Sequence, residues 1–454
     1  MRIPHKRQSG QVLIMVALSA VVLIASAGLA IDSALGYFVK AKLNAAVDSA
    51  SLAAARGVTL GDTQAAQATN ARQSAKEFFN IYYPDKFLLS TPVLNPVGVV
   101  FDRGTVTIDV SATASMPVSL MGILGFKTLN VAASAQTIRK DLDMVLVMDT
   151  SGSLSSNAAA VRAAGKSFLN KFNSTVDRVG LLHFSSGTVI DLPIKKLDRG
   201  FNRTQASTAI DNYSFSGNTN YSEGMWRARE QLNGISQSDR SSLRVIVFFS
   251  DGAPTALSSY FFPATSGNCT EAGALAVSAT RPSSGRATSG LYRIDAASQS
   301  LTPTNGCAAS LINKLPAWYN AHQTKAQADA AAPGEFPILT NTPRKVTADI
   351  SIPTLQYDNV HRAARNLPEA MASKSRLENT YIFTLGMGAG LKAKEGPDNE
   401  VGEDLLRCMA NTADAPVRCR KPTEPVGLYC YAATESDLSP CFTRLASAIL
   451  RISK

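Results

Sequence analysis

The first apolar feature of the chain is continuous, not periodic. Val12 to Ile31 reads VLIMVALSAVVLIASAGLAI, twenty residues without a charge. At a helical rise of about 1.5 Å per residue, such a run crosses a hydrocarbon core of about 30 Å. Behind it the pattern becomes helical and Ala-rich, with Leu43, Val47 and Leu52 at helical spacing, and predicts helix over 32–83. After Pro84 the period shortens to two. Val97–Phe101 and Thr105–Ala112 alternate and are β-branched, Asp102-Arg103-Gly104 between them reads as a hairpin turn, and Leu129–Ile138 is a further strand. Ser115–Phe126, with Pro117, Gly122 and Gly125, is predicted as an irregular apolar loop. The pattern therefore divides the N-terminal part into a tip and membrane helix, 1–31, and a small α+β module, 32–138.

From Asp143 the pattern is that of an α/β fold. Asp143–Met148 is an apolar run of the kind a buried parallel strand requires. Helix is predicted from about Ala158 to Phe172, strands at Val179–Phe184 and Thr188–Pro193, helix at Ser222–Leu232, and a strand at Arg244–Phe249. Further on, Val360–Met371 reads as helix, Thr380–Leu385 and Gly427–Ala432 as strands, and Asp437–Ile452 as helix. Strands alternating with helices predict a doubly wound α/β domain over 142–452, with ligands at the C-terminal strand ends. A stretch rich in Ser, Thr, Ala, Pro and Gly interrupts it at about 253–353 and reads as an insertion.

Charge decides where this domain lies. Arg2, His5, Lys6 and Arg7 precede the apolar run, and Asp32 is the first charge after it. The positive-inside rule then places the N-terminus in the cytoplasm and everything beyond Ile31 outside an inner membrane, in the periplasm or at the cell surface. Ala25-Ser26-Ala27 resembles a signal-peptide cleavage site, but the run is longer than a signal core and continues as helix, which favours a retained single-pass anchor. Export suits the six cysteines, Cys269, Cys307, Cys408, Cys419, Cys430 and Cys441, none in a Cys-x-x-Cys pair. Cys269 and Cys307 are expected to staple the insertion, and the last four to staple the final strand to its neighbours. Their equal spacing is read as coincidence. The net charge of +10 comes from scattered Lys and Arg, with no run of five or more basic residues, so no nucleic-acid partner is expected.

The candidate chemistry lies at strand ends. The first α/β strand ends in Asp149-Thr150-Ser151-Gly152-Ser153, an Asp-x-Ser-x-Ser string whose carboxylate and two hydroxyls offer hard oxygen to Mg²⁺. Gly217-Asn218-Thr219-Asn220 offers another hydroxyl, and the strand RVIVFFS runs into Asp251-Gly252 with a second carboxylate. In the alternative reading the serines only cap a helix and the aspartates only end strands. Gly165-Lys166-Ser167 lacks the earlier glycine of a phosphate loop, Ala160 standing there, and no Gly-x-Ser-x-Gly elbow occurs. His183 falls in a buried strand, and His322 and His361 have no nucleophile spacing.

Two resemblances follow from these residues. The three strand-end segments, in this order, resemble the metal-ion-dependent adhesion site of von Willebrand factor A domains. The resemblance implies an ion, Mg²⁺ or else Mn²⁺ or Ca²⁺, bound through Ser151, Ser153 and Thr219, with Asp149 and Asp251 holding it directly or through water. It also implies a protein partner that presents a carboxylate, and no enzymatic activity. The N-terminal pattern, with Gly10, the apolar helix, Asp32, Tyr37 and the Ala-rich helix containing Asn44, Ala45, Asp48 and Ala50, resembles the TadG-like proteins of the bacterial Tad (Flp) pilus assembly system. That resemblance implies a membrane-anchored pilus assembly or adhesion protein whose partners are pilus components or a surface ligand. Five residues after Gly10 stands Met15, where TadE-like pilins carry Glu, so it does not extend to prepilin processing. A structural assembly factor with a purely structural ion, and a metal-dependent hydrolase, are the competing readings.

Overall fold

A computed structural model describes residues 9–58, 64–102, 105–237, 239–261, 271–283, 285, 287–297 and 307–452. The basic tip, Arg103-Gly104 of the hairpin turn and Cys269 lie outside the described residues. The chain divides into two compact units, 1–139 and 140–454.

In the first unit, helix α1 (Ser9–Gly57) runs for 49 residues. The helix predicted over 32–83 is two, because α1 ends at Gly57 and α2 (Gln64–Tyr82) packs back on it. Gly57 permits that approach: a Cβ there would lie 2.6 Å from Ser74 Oγ. Small and branched residues of α1, among them Val39, Leu43, Ala46, Val47 and Ala50, meet Ala71, Ala75 and Phe79 of α2. Against them lies a four-stranded sheet of β1 (Thr91–Leu94), β2 (Gly98–Asp102), β3 (Thr105–Pro117) and β4 (Thr128–Lys140). β3 pairs antiparallel with β2 through its first half and with β1 through its second. Val106, Ile108, Val110 and Ala112 alternate toward the helices, which is the period of two read from the sequence. Strand β3 runs to Pro117, beyond the predicted end, because Ala114 and Met116 continue its buried face.

The second unit is built on a six-stranded sheet in the order β15-β12-β8-β5-β6-β7. Its strands are β5 (Leu142–Asp149), β6 (Arg178–Phe184), β7 (Thr188–Leu192), β8 (Leu243–Ser250), β12 (Thr380–Met387) and β15 (Tyr429–Ala432). All neighbouring pairs are parallel except β6 with β7. Every residue of β5 and β8 is buried, as a strand covered on both faces requires. One face carries α3 (Ala158–Leu169), α4 (Arg203–Asp211) and α9 (Glu435–Ile452), and the other α5 (Tyr221–Asn233), α7 (Pro353–Leu377) and α8 (Gly402–Ala410). Helices α4 and α8 escape the sequence reading because each has only 9 residues, too few for a clear period.

The segment after β8 forms a second sheet in the order β11-β10-β9, from β9 (Ala256–Ser259), β10 (Gly273–Val277) and β11 (Thr288–Arg293), followed by the short helix α6 (Lys325–Asp329). Its Leu257, Leu275, Leu291, Ile312 and Ile338 are buried in the same core as α5 and α7, so it is folded into the domain. A two-stranded ribbon, β13 (Lys394–Glu395) with β14 (Glu400–Val401), precedes α8.

Cys408 is bonded to Cys419 and Cys430 to Cys441, each pair 11 residues apart, and Cys307 is also disulfide-bonded. The equal spacing read as coincidence is thus, for these two pairs, the span of the bonded loops. Cys430 lies in β15 and Cys441 in α9, so the edge strand is tied to the last helix. Replacing both with serine removes a loop constraint of about 3 kcal/mol. Chemical denaturation of the double variant under oxidising conditions is expected to show that loss.

Candidate metal centre at the sheet edge

Strand β5 delivers Asp149 at its C-terminal tip, wholly buried. One carboxylate oxygen accepts the N–H of Ser151 at 2.7 Å, and the other accepts the hydroxyl of Ser250, the last residue of β8. The turn that follows is held from both sides: Thr150 N donates to Phe184 O at 2.8 Å, and Ser216 N to Thr150 O at 2.9 Å. This fixes Ser151 and Ser153, whose hydroxyl oxygens stand 3.2 Å apart. Ser153 Oγ donates to Asp251 Oδ1 at 2.8 Å, joining the β5 turn to the β8 turn.

Thr219 comes from the loop before α5. Gly152 N donates to Gly217 O at 3.2 Å, and Thr255 N donates to Thr219 O at 2.9 Å, so the loop is tied to both turns. Asn220 then caps α5, accepting the N–H of Glu223 at 3.2 Å and donating to Ser186 O and Ser258 Oγ. Gly217 has φ +90°, and a Cβ there would stand 2.7 Å from Ser185 Oγ. Gly217→Ala is therefore strained on two counts, at about 1–3 kcal/mol. It is expected to lower the melting temperature and to weaken metal binding together, as calorimetry with and without chelator would show.

Ser151, Ser153, Thr219 and Asp251 line one cavity of about 530 Å³, and Asp149 sits behind it through its bond to Ser151. The structure thus gathers all five sequence-predicted residues. It adds two that the sequence reading did not assign. Ser250 holds Asp149 and was legible beside Asp251. Glu395, from the β13–β14 ribbon, lines the cavity opposite no motif, and nothing in the sequence singles it out.

Electrostatics mark the place as unfinished. Burial, then the charge of Asp251, pushes Asp149 up to about 7, against its hydrogen bonds to Ser250 and Ser151. Burial also pushes Asp251 up to about 6, with Glu395 adding to the rise. Among the described residues no lysine, arginine or histidine lines the cavity. Two carboxylates held near each other without a cation suit a hard dication, and the neutral hydroxyls of Ser151, Ser153 and Thr219 complete an all-oxygen donor set. Among the described residues no group of three or more His, Cys, Asp or Glu side chains is placed to hold a metal, so any centre here depends on the hydroxyls.

Comparison with known proteins bears on the domain. No curated protein matches the chain. Among solved structures it is similar to the vWF domain of the type V pili tip protein Mfa5 from Porphyromonas gingivalis, at 14% identity, covering 70% of this chain and 98% of that one, with a TM-score of 0.39. It is also similar to the PilB minor pilin from Streptococcus sanguinis, at 14% identity over 80% of this chain and 79% of that one, with a TM-score of 0.37. For the pilus adhesin SpaC from Lactobacillus rhamnosus GG the identity is 14%, the coverage 80% and 35%, and the TM-score 0.36. The family model for the von Willebrand factor type A domain matches residues 143–277, from β5 through β10, and so includes Asp149, Ser151, Ser153, Thr219 and Asp251. Residues 143–277 are a von Willebrand factor type A domain.

Proposed function

We propose that this chain is a membrane-anchored, TadG-like protein of pilus assembly or adhesion, whose type A domain binds a divalent cation and through it a carboxylate of a protein partner. The observation that carries the reading is the convergence of Ser151, Ser153, Thr219 and Asp251, from three separate stretches, on one cavity, with Asp149 bonded to Ser151 behind them and no cationic side chain among the described lining residues. A cation held there would supply an electrophilic position for a partner's carboxylate oxygen. The chain's own residues do the rest. Ser250 and the Ser151 amide orient Asp149, Ser153 orients Asp251, and the Gly217 loop presents Thr219.

Support for the anchor is the single helix among the described residues that is long and apolar enough to cross a membrane, together with the N-terminal resemblance. In this reading the helix spans the inner membrane, and the domain faces the periplasm or the cell surface. Binding is favoured over catalysis because His183, His322 and His361 do not line the cavity and are engaged with Asp191, Glu223 and the Ser278 carbonyl.

Cells carrying Ser151→Ala with Ser153→Ala test the proposal. Attachment is expected to fall to the level of a chelator-treated strain while pili remain visible. Loss of pili or of the protein itself would instead favour a structural ion.

A further inference from the structure

Between β3 and β4 the chain reads PVSLMGILGF from Pro117 to Phe126, without a charge. At the tip of this hairpin Ile123, Leu124 and Phe126 are 57%, 51% and 54% exposed. Leaving such side chains in water is unfavourable, so an apolar phase that covered them would stabilise the tip. The loop is nonetheless firmly placed. The fully buried Asp32 carboxylate accepts the N–H groups of Ser119, Leu120 and Met121 at 2.8, 3.0 and 2.8 Å. Leu120 rests where Gly28 leaves room, since a Cβ on Gly28 would lie 2.6 Å from Leu120 Cβ.

Both contacts lie at the end of the apolar run of α1. Gly28 is inside it, and Asp32 follows its last residue, Ile31. At about 1.5 Å rise per residue, Leu120 meets the helix roughly 4–5 Å inside the end of that run. We infer that residues 121–126 dip into the leaflet in which α1 ends, as a second, monotopic contact that sets the small module against the bilayer. This rests on reading α1 as a membrane anchor.

Three features favour lipid as the occupant. The tip is at the depth of the headgroup and acyl boundary, where exposed apolar side chains are buried by about 5–10 Å of insertion. Its backbone, a single 3-10 turn over Met121–Leu124, has the internal partners that a membrane demands. Three consecutive N–H groups go to Asp32, and Ile123 N and Gly125 N donate to Leu120 O and Gly122 O. Lys127 follows Phe126, exposed, where an ammonium can reach the headgroups.

Tryptophan quenching in vesicles tests this on the full chain, reconstituted in phosphatidylcholine with or without acyl-brominated lipid. The variants are Phe126→Trp and, in the helix, Leu23→Trp, each read against the unaltered chain with its two native tryptophans. The expected result is that brominated lipid removes most of the added emission in both, Phe126→Trp responding best to bromine near the headgroup and Leu23→Trp to bromine deep in the chains. Quenching of Leu23→Trp alone would overturn the inference and leave the anchor standing. Quenching of neither would overturn the anchor reading, and the inference with it.

Discussion

Asp251→Asn is expected to weaken Mg²⁺ binding by at least about 100-fold, the upper end of what losing even an outer-shell partner costs a metal site. The metal-free domain should be as stable as before, or more so. The two outcomes share one cause. Asp251 is a carboxylate raised by burial, and its charge raises Asp149 in turn. An amide there can still accept the hydrogen bond of Ser153 Oγ, now 2.8 Å from Asp251 Oδ1, so the turn keeps its connection while losing a repulsive charge. A residue kept only for packing or capping would lower both quantities or neither. Titration calorimetry for affinity and scanning calorimetry in chelator for stability separate the cases.

Acidification is the second large lever. Both carboxyls must lose their protons to hold a dication, and in the metal-free domain they do so at about 7 and about 6 instead of the ordinary 3.8. Lowering the pH from about 7.5 to about 5.5 is therefore expected to weaken binding on the order of 100-fold, since each pH unit below a group's pKa costs about 1.4 kcal/mol. The same shifts act on folding with the opposite sign. A carboxyl that holds its proton more tightly when folded stabilises the metal-free domain fully below about pH 4, and that contribution is lost as pH rises through 6 and 7. His361 works the other way. Burial, then the charge of Arg365, pushes it down to about 4, so its contribution is present above about 6.5 and fades as pH falls. His361 does not line the cavity, so its protonation does not compete with the ion for a ligand. The gap in melting temperature between loaded and chelated protein should accordingly widen with pH. A gap that stays constant from pH 5.5 to 7.5 would mean that Asp149 and Asp251 do not compete with protons for the ion.

What the sequence made legible is what strong periodicity and short strings can carry. Strands β5 and β8 announce themselves as runs of buried residues, and Asp149 and Asp251 stand at or just past their ends because a parallel sheet delivers its C-terminal tips to one edge. The Asp-x-Ser-x-Ser string falls where the chain must turn, so its hydroxyls had few other directions to take. Thr219 was readable only through resemblance, since its loop is positioned by backbone bonds to Gly152 and Thr255, which no pattern encodes. Glu395 was hidden altogether. It reaches the cavity from a two-residue strand more than a hundred positions beyond Asp251, and only the tertiary fold brings it there. The turn between α1 and α2 was missed although Gly57 and Gly61-Asp62 mark it, because no proline intervenes and the Ala-rich pattern resumes at Gln64.

The measurement that bears most directly on the account is titration calorimetry of the detergent-solubilised full chain with Mg²⁺, Mn²⁺ and Ca²⁺ at pH 7.5. A single saturable uptake of at least one of these ions is expected, abolished when Asp149 and Asp251 are both replaced by asparagine in a chain whose melting profile shows it folded. No uptake by the unaltered chain, or uptake that survives the double replacement, would contradict a cation centre at this sheet edge.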